Sequence, residues 1–197
     1  MAIAITLLAL PLMEAVPQAA QRQASTVQYL TETAGQWTAL AISFFVIATL
    51  WFTHHSLFAH VGAFHPVLFW LNAVWAFTVV VLSVLTGIIG STMAVDASQK
   101  VLYIGTMFLS AVCIAGGFQF VGRHPELWNE LGRPAAGGQY ATYAQVILTA
   151  LALVIVLATG IGYVVMLLLF GVVPLGALLA RGARRARRPG RHPADGR

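Results

Sequence analysis

The sequence predicts an all-α, polytopic membrane protein with six transmembrane helices per subunit, the first of them shortened. Three observations carry that prediction. Charged residues make up 9% of the 197 and hydrophobic residues 59%, with a mean hydropathy of +0.82. A soluble domain carries about 25% charged residues because water must wet its surface, so most of this surface faces lipid. Apolar runs recur along the chain, several of them reaching the roughly 20 residues that cross about 30 Å of hydrocarbon. The basic residues are also gathered. Seven of the eleven lie after Ala180, as Arg181, Arg184, Arg185, Arg187, Arg188, Arg191 and Arg197. A basic segment beside a membrane span marks the cytoplasmic side.

The first run, Ala2–Leu10, is apolar from its start, and Pro11 and Glu14 close it before it reaches spanning length. No Lys or Arg precedes Arg22, whereas a signal peptide opens on a positively charged region. A shortened crossing helix is the expectation. Five further segments follow, with cores at Trp37–Thr53, Val67–Gly90, Val101–Phe120, Tyr143–Ile161 and Tyr163–Ala180. The last two are divided by Gly160-Ile161-Gly162, where glycines supply a tight reversal, so a helical hairpin is expected. Residues 123–139 contain Pro125, Pro134 and Gly137-Gly138; they read as a loop with a short interfacial helix near Leu127-Trp128.

With six crossings, Arg123, Arg133 and the arginine tail fall on one side, as the positive-inside rule requires. Both termini are then cytoplasmic in a multi-pass protein of the cell membrane. Residues 1–180 form one six-helix transmembrane domain, and residues 181–197 a basic, disordered tail. Cys113 lies within an apolar segment and has no partner for an intramolecular disulfide.

Few residues suggest chemistry. At about 100° per residue, Ile3, Leu7 and Leu10 share a narrow stripe with Thr6 at its edge. Neighbour packing explains most such stripes; a ring of them around an axis would make a constriction that dewets readily. His54, His55, His60 and His65 raise a metal or haem site, but zinc wants four ligands at compatible spacing, and adjacent histidines point to different helix faces. Asn72 shares a face of the third span with Val79, Ser83 and Thr86, and an intramembrane Asn must find a hydrogen-bond partner. Thr106, Ser110, Cys113 and Gly117 form a small-residue stripe suited to close helix packing. Pro174 predicts a kink. No Gly-rich phosphate loop or buried carboxylate pair is present, which speaks against an enzyme, a cofactor or a proton-coupled carrier. Nor is nucleic acid the expected partner of the basic tail; anionic lipid is.

Three blocks of sequence resemble the bacterial branch of the transmembrane protein 175 potassium channels. Ala2-Ile3-Ala4-Ile5-Thr6-Leu7-Leu8-Ala9-Leu10 resembles the pore segment of that family's first helix. Ser43–Phe58, with Trp51-Phe52-Thr53-His54-His55-Ser56-Leu57-Phe58, resembles the second helix and its Trp-x-x-His-His-x-x-Phe ending. Leu71-Asn72 resembles the start of the third. The resemblance covers residues 1–90 well and beyond them is mainly six-span topology. It implies a homotetrameric, modestly potassium-selective passive channel with the first helices around the pore. It also implies that Ile3, Leu7 and Leu10 form the constriction and Thr6 the hydroxyl ring. Trp51, His54, His55 and Asn72 would form a polar network supporting the pore helix. The family's Arg-x-x-x-Phe-Ser-Asp signature would directly precede Ala2, so the expectation is a chain truncated at that motif. A membrane redox or metal-binding protein using the four histidines, or a non-conducting structural protein, are the readings of other classes.

Overall fold

The computed structural model describes residues 2–90, 97–134, 136–159 and 171–186. Among them are seven α-helices: α1 (Ala2–Gln21), α2 (Thr26–Glu32), α3 (Ala34–Phe58), α4 (Pro66–Gly90), α5 (Ala97–Arg123), α6 (Ala136–Thr159) and α7 (Val172–Ala186). The expected all-α architecture is present, and α3, α4, α5 and α6 are long and apolar enough to cross a membrane.

α1 is longer than its apolar run. It passes through Pro11 and Pro17 and ends at Gln21, a length of about 30 Å at the usual rise per residue. A proline removes one backbone donor and crowds the preceding turn, which is why the apolar run appears to stop there. A partner from outside the helix serves that stretch: the Tyr29 hydroxyl donates to the Leu12 carbonyl (2.9 Å). Tyr29 is placed by α2, which begins at a capping box. The Ser25 hydroxyl accepts from Gln28 N–H, and the Gln28 side chain accepts from Ser25 N–H. The spacing Ser25-x-x-Gln28 is itself a helix-start signal in the sequence.

The bundle is held by small residues where helices meet closely and by paired hydroxyls within it. A Cβ on Gly117 of α5 would lie 2.6 Å from Leu57 Cδ2 of α3, and Ser110 and Cys113 of the same stripe are buried. Deeper along α4, Thr86 Oγ1 lies 2.7 Å from Ser43 Oγ of α3, which lies 3.0 Å from the Tyr103 hydroxyl of α5. All three are almost fully buried. Around them pack Ile47, Leu50, Leu82, Met107 and Ile114.

α6 and α7 run antiparallel. A Cβ on Gly171 would meet Leu148 Cδ1 at 3.5 Å, and one on Gly176 would meet Ala141 Cα at 3.0 Å. Advancing along one helix therefore retreats along the other. The expected reversal at Gly160-Ile161-Gly162 lies outside the described residues, as does the side chain of Pro174. Residues 181–186 of the basic segment continue α7 as a helix, and residues 187–197 lie outside the described residues.

One end of the bundle is closed by two loops that clasp each other. A short 3₁₀ turn, Pro125–Leu127, follows α5, close to the expected interfacial helix. Its neighbour Trp128 pairs with Val61 of the α3–α4 loop as an antiparallel bridge. Gly62 N–H donates to the Leu127 carbonyl (2.8 Å), Asn129 N–H to the His60 carbonyl (3.1 Å), and Asn129 Nδ2 to the Ala59 carbonyl (2.7 Å). Gly62 is required by closeness: a Cβ there would lie 3.1 Å from Asn129 Cα.

Candidate functional site: the outer face of α1 and the histidine end of α3

α1 turns one face to the bundle and the other away from it. Leu12 and Ala19 are buried, whereas Thr6, Leu10 and Met13 are exposed, Leu10 by 49% and Met13 by 66%. At about 100° per residue the exposed stripe lies roughly opposite the buried one. Thr6 and Leu10, two of the four pore candidates, are thus both exposed on the side of α1 away from Leu12 and Ala19. The side chains of Ile3 and Leu7 lie outside the described residues.

At the other candidate position, α3 ends in adjacent histidines on separate faces. His54 Nε2–H donates to Asn72 Oδ1 of α4 (2.7 Å); a carbonyl oxygen can only accept, so the ring carries its proton on Nε2. The His54 ring also stacks on Trp75, with centroids 3.8 Å apart and planes 11° from parallel, and meets Phe58 at 4.5 Å. Asn72 and Trp75 are one helical turn apart on α4, so that helix grips the imidazole by its edge and its face together. Trp75 Nε1 is buried and finds no acceptor among the described residues. A small cavity adjoins the cluster, lined in part by Phe58, Cys113 and Gly117.

His55 belongs to a second, exposed pair. It stacks on Trp51, one turn earlier, with centroids 5.3 Å apart. The four residues expected as one network therefore form two couples, His54 with Asn72 between helices and His55 with Trp51 along α3. Trp75 is the member that sequence reading missed, although its spacing from Asn72 places it on the same side of α4.

The remaining histidines are engaged elsewhere. His60 Nδ1–H donates to the Ser56 carbonyl (2.9 Å). His65 Nδ1 accepts from Val67 N–H (3.1 Å) in the first turn of α4, behind Pro66, so it acts as a helix cap. His124, just past α5, stacks on Phe120 at 4.1 Å and lies 6.1 Å from His65. Sequence reading did not anticipate that proximity, because the two sit on different hairpins. Among the described residues no group of three or more His, Cys, Asp or Glu is placed to hold a metal ion.

Two comparisons bear on this arrangement. No curated protein matches the chain. Residues 1–82 match the sequence model of the family described as the endosomal/lysosomal potassium channel TMEM175. That stretch holds all of α1, α2 and α3 and most of α4, including both candidate sites. Over residues 1–82, about two fifths of its length, the chain is thus similar to the TMEM175 potassium channel family.

Proposed function

We propose that the protein is a passive potassium channel of the cell membrane, modestly selective for potassium over sodium, assembled as a homotetramer with α1 of each subunit around the pore. The carrying observation is the coincidence of the family match with an α1 face, Thr6 and Leu10, that its own chain leaves exposed. Around a fourfold axis that face supplies rings: Thr6 hydroxyls replace part of the ion's water, and Ile3, Leu7 and Leu10 form an apolar constriction that closes by dewetting. His54 and Asn72 tie α3 to α4, the helix against which α1 packs, and Trp51 and His55 complete the support. The six crossings are α1, the four long apolar helices and the segment ending in α7. Residues 1–180 make up the channel domain, residues 181–197 the basic tail, and both termini lie in the cytoplasm.

The test is reconstitution of the purified chain in liposomes with a potassium gradient. Potassium flux exceeding sodium flux, together with a tetrameric mass in detergent, is the expected result. Absence of flux at every imposed potential would sink the channel reading.

A further inference from the structure

The spacing of the pore candidates continues past the end of the apolar run. Ile3, Leu7 and Leu10 stand four and three residues apart, and the same alternation runs on through Glu14, Pro17 and Gln21. Such steps average 3.5 residues, close to one helical turn, and keep a line of positions facing a common axis when helices surround it. The alternation has meaning only on an unbroken helix, and α1 is continuous from Ala2 to Gln21. Leu10, Glu14, Pro17 and Gln21 are all exposed. By register Glu14 lies about 40° from Leu10 and about 160° from the buried Leu12. The outward stripe of α1 therefore turns from apolar to polar at Glu14.

Tyr29 locates that change along the bundle. Its hydroxyl donates to the Leu12 carbonyl (2.9 Å), and its carbonyl accepts from Thr33 N–H (3.0 Å), just before α3. Leu12 thus lies near the level where α3 begins, and α3 is long and apolar enough to cross a membrane. Glu14 is about 3 Å further along the axis, at the edge of the apolar zone. Its charge is also left over. The charged side chains of residues 2–32 are Glu14, Arg22 and Glu32. Arg22 and Glu32 pair at 3.2 Å, and Glu14 has no ion-pair partner among the described residues.

Building on the channel reading above, we propose that Glu14 sets cation throughput at the α2 end of the pore. Four copies around the axis form a carboxylate ring one turn beyond Leu10, which gathers potassium ions at the mouth and repels anions. Rings of acidic side chains do this in cation channels. A charged rim with low-dielectric walls raises the local counter-ion concentration by about tenfold or more at low salt. Salt screens that attraction, over about 10 Å at 0.1 M and about 3 Å at 1 M, whereas a packing role would be indifferent to salt.

The test is the conductance of the purified full chain in planar bilayers, in potassium chloride at about 20 mM and at about 1 M. Glu14→Gln should lower conductance about threefold at the lower concentration and by less than about 1.3-fold at the higher. Glu14→Asp should stay within about twofold of wild type at both. Glu14→Cys, once inserted, should regain conductance on labelling with a negatively charged thiol reagent and lose more with a positively charged one. Wild type is the control for that labelling, since Cys113 is buried. A conducting wild type with an unchanged Glu14→Gln at low salt would overturn this role alone, as would equal effects of the two reagents. No potassium current from wild type would overturn the channel reading and this role together.

Discussion

His54 shows what a single side chain does here. Its edge is held by Asn72 and its face by Trp75, so it joins α3 to α4 through contacts with different chemistry. Hydrogen bonds between membrane helices contribute about 0.6–2 kcal/mol. Asn72→Ala should therefore destabilise the fold by about 1–2 kcal/mol, measured by unfolding in mixed micelles. A double-mutant cycle with His54→Phe should recover most of that as coupling; full additivity would show that the pair does not interact. At the hydroxyl chain, Tyr103→Phe removes the hydroxyl's hydrogen bonding without opening a void and should cost about 1 kcal/mol. Asn72 was legible as a residue needing a partner, because membrane polarity demands one. Which partner it takes was not, since His54 and Asn72 are separated by the whole α3–α4 connection.

At the scale of elements, the long apolar helices were legible from run length and composition, and their ends were less so. α1 illustrates why. Pro11 is a helix breaker by local rules, yet α1 continues through it, and the hydroxyl of Tyr29, 17 residues beyond Leu12, reaches the Leu12 carbonyl. Local propensity does not contain that information. α7 depends on closeness instead, and Gly176→Leu should prevent its docking on α6. Gly182→Leu, where a Cβ would meet nothing within 4 Å, should be tolerated. Limited proteolysis of the segment after α6 distinguishes them: faster cleavage is expected in the first variant alone. Equal cleavage rates would show that the Gly176–Ala141 contact does not hold the helix.

For the molecule as a whole, apolar side chains cover the outside. Phe45, Phe52 and Phe77 are each at least 67% exposed, as expected of a surface that meets lipid or other subunits. The sequence carried this through its shortage of charges. It also carried the candidate pore face through the spacing of Thr6 and Leu10, but not whether that face would turn inward or outward. The buried Leu12 and Ala19 decide that, by packing against the bundle. If the outward face lines a pore, Leu10→Ala should raise basal potassium flux severalfold by widening the dewetted ring. Met13→Ala, exposed nearer the Glu14 end, should do so less. Equal flux from Leu10→Ala and wild type in liposomes would remove Leu10 from the constriction.

The clasp between the two loops has a consequence for biosynthesis. Asn129 and Ala59 stand 70 residues apart, so the α3–α4 turn waits without its partner until the second hairpin has been made. A second hairpin threaded in the wrong direction would present its loop on the opposite side, where Asn129 and Gly62 cannot meet. Asn129→Ala should then increase the share of wrongly oriented chains, scored by labelling a cysteine placed in the α5–α6 loop from either side of the membrane. In that light the clasp is a checkpoint on topology: only a correctly threaded chain can close it.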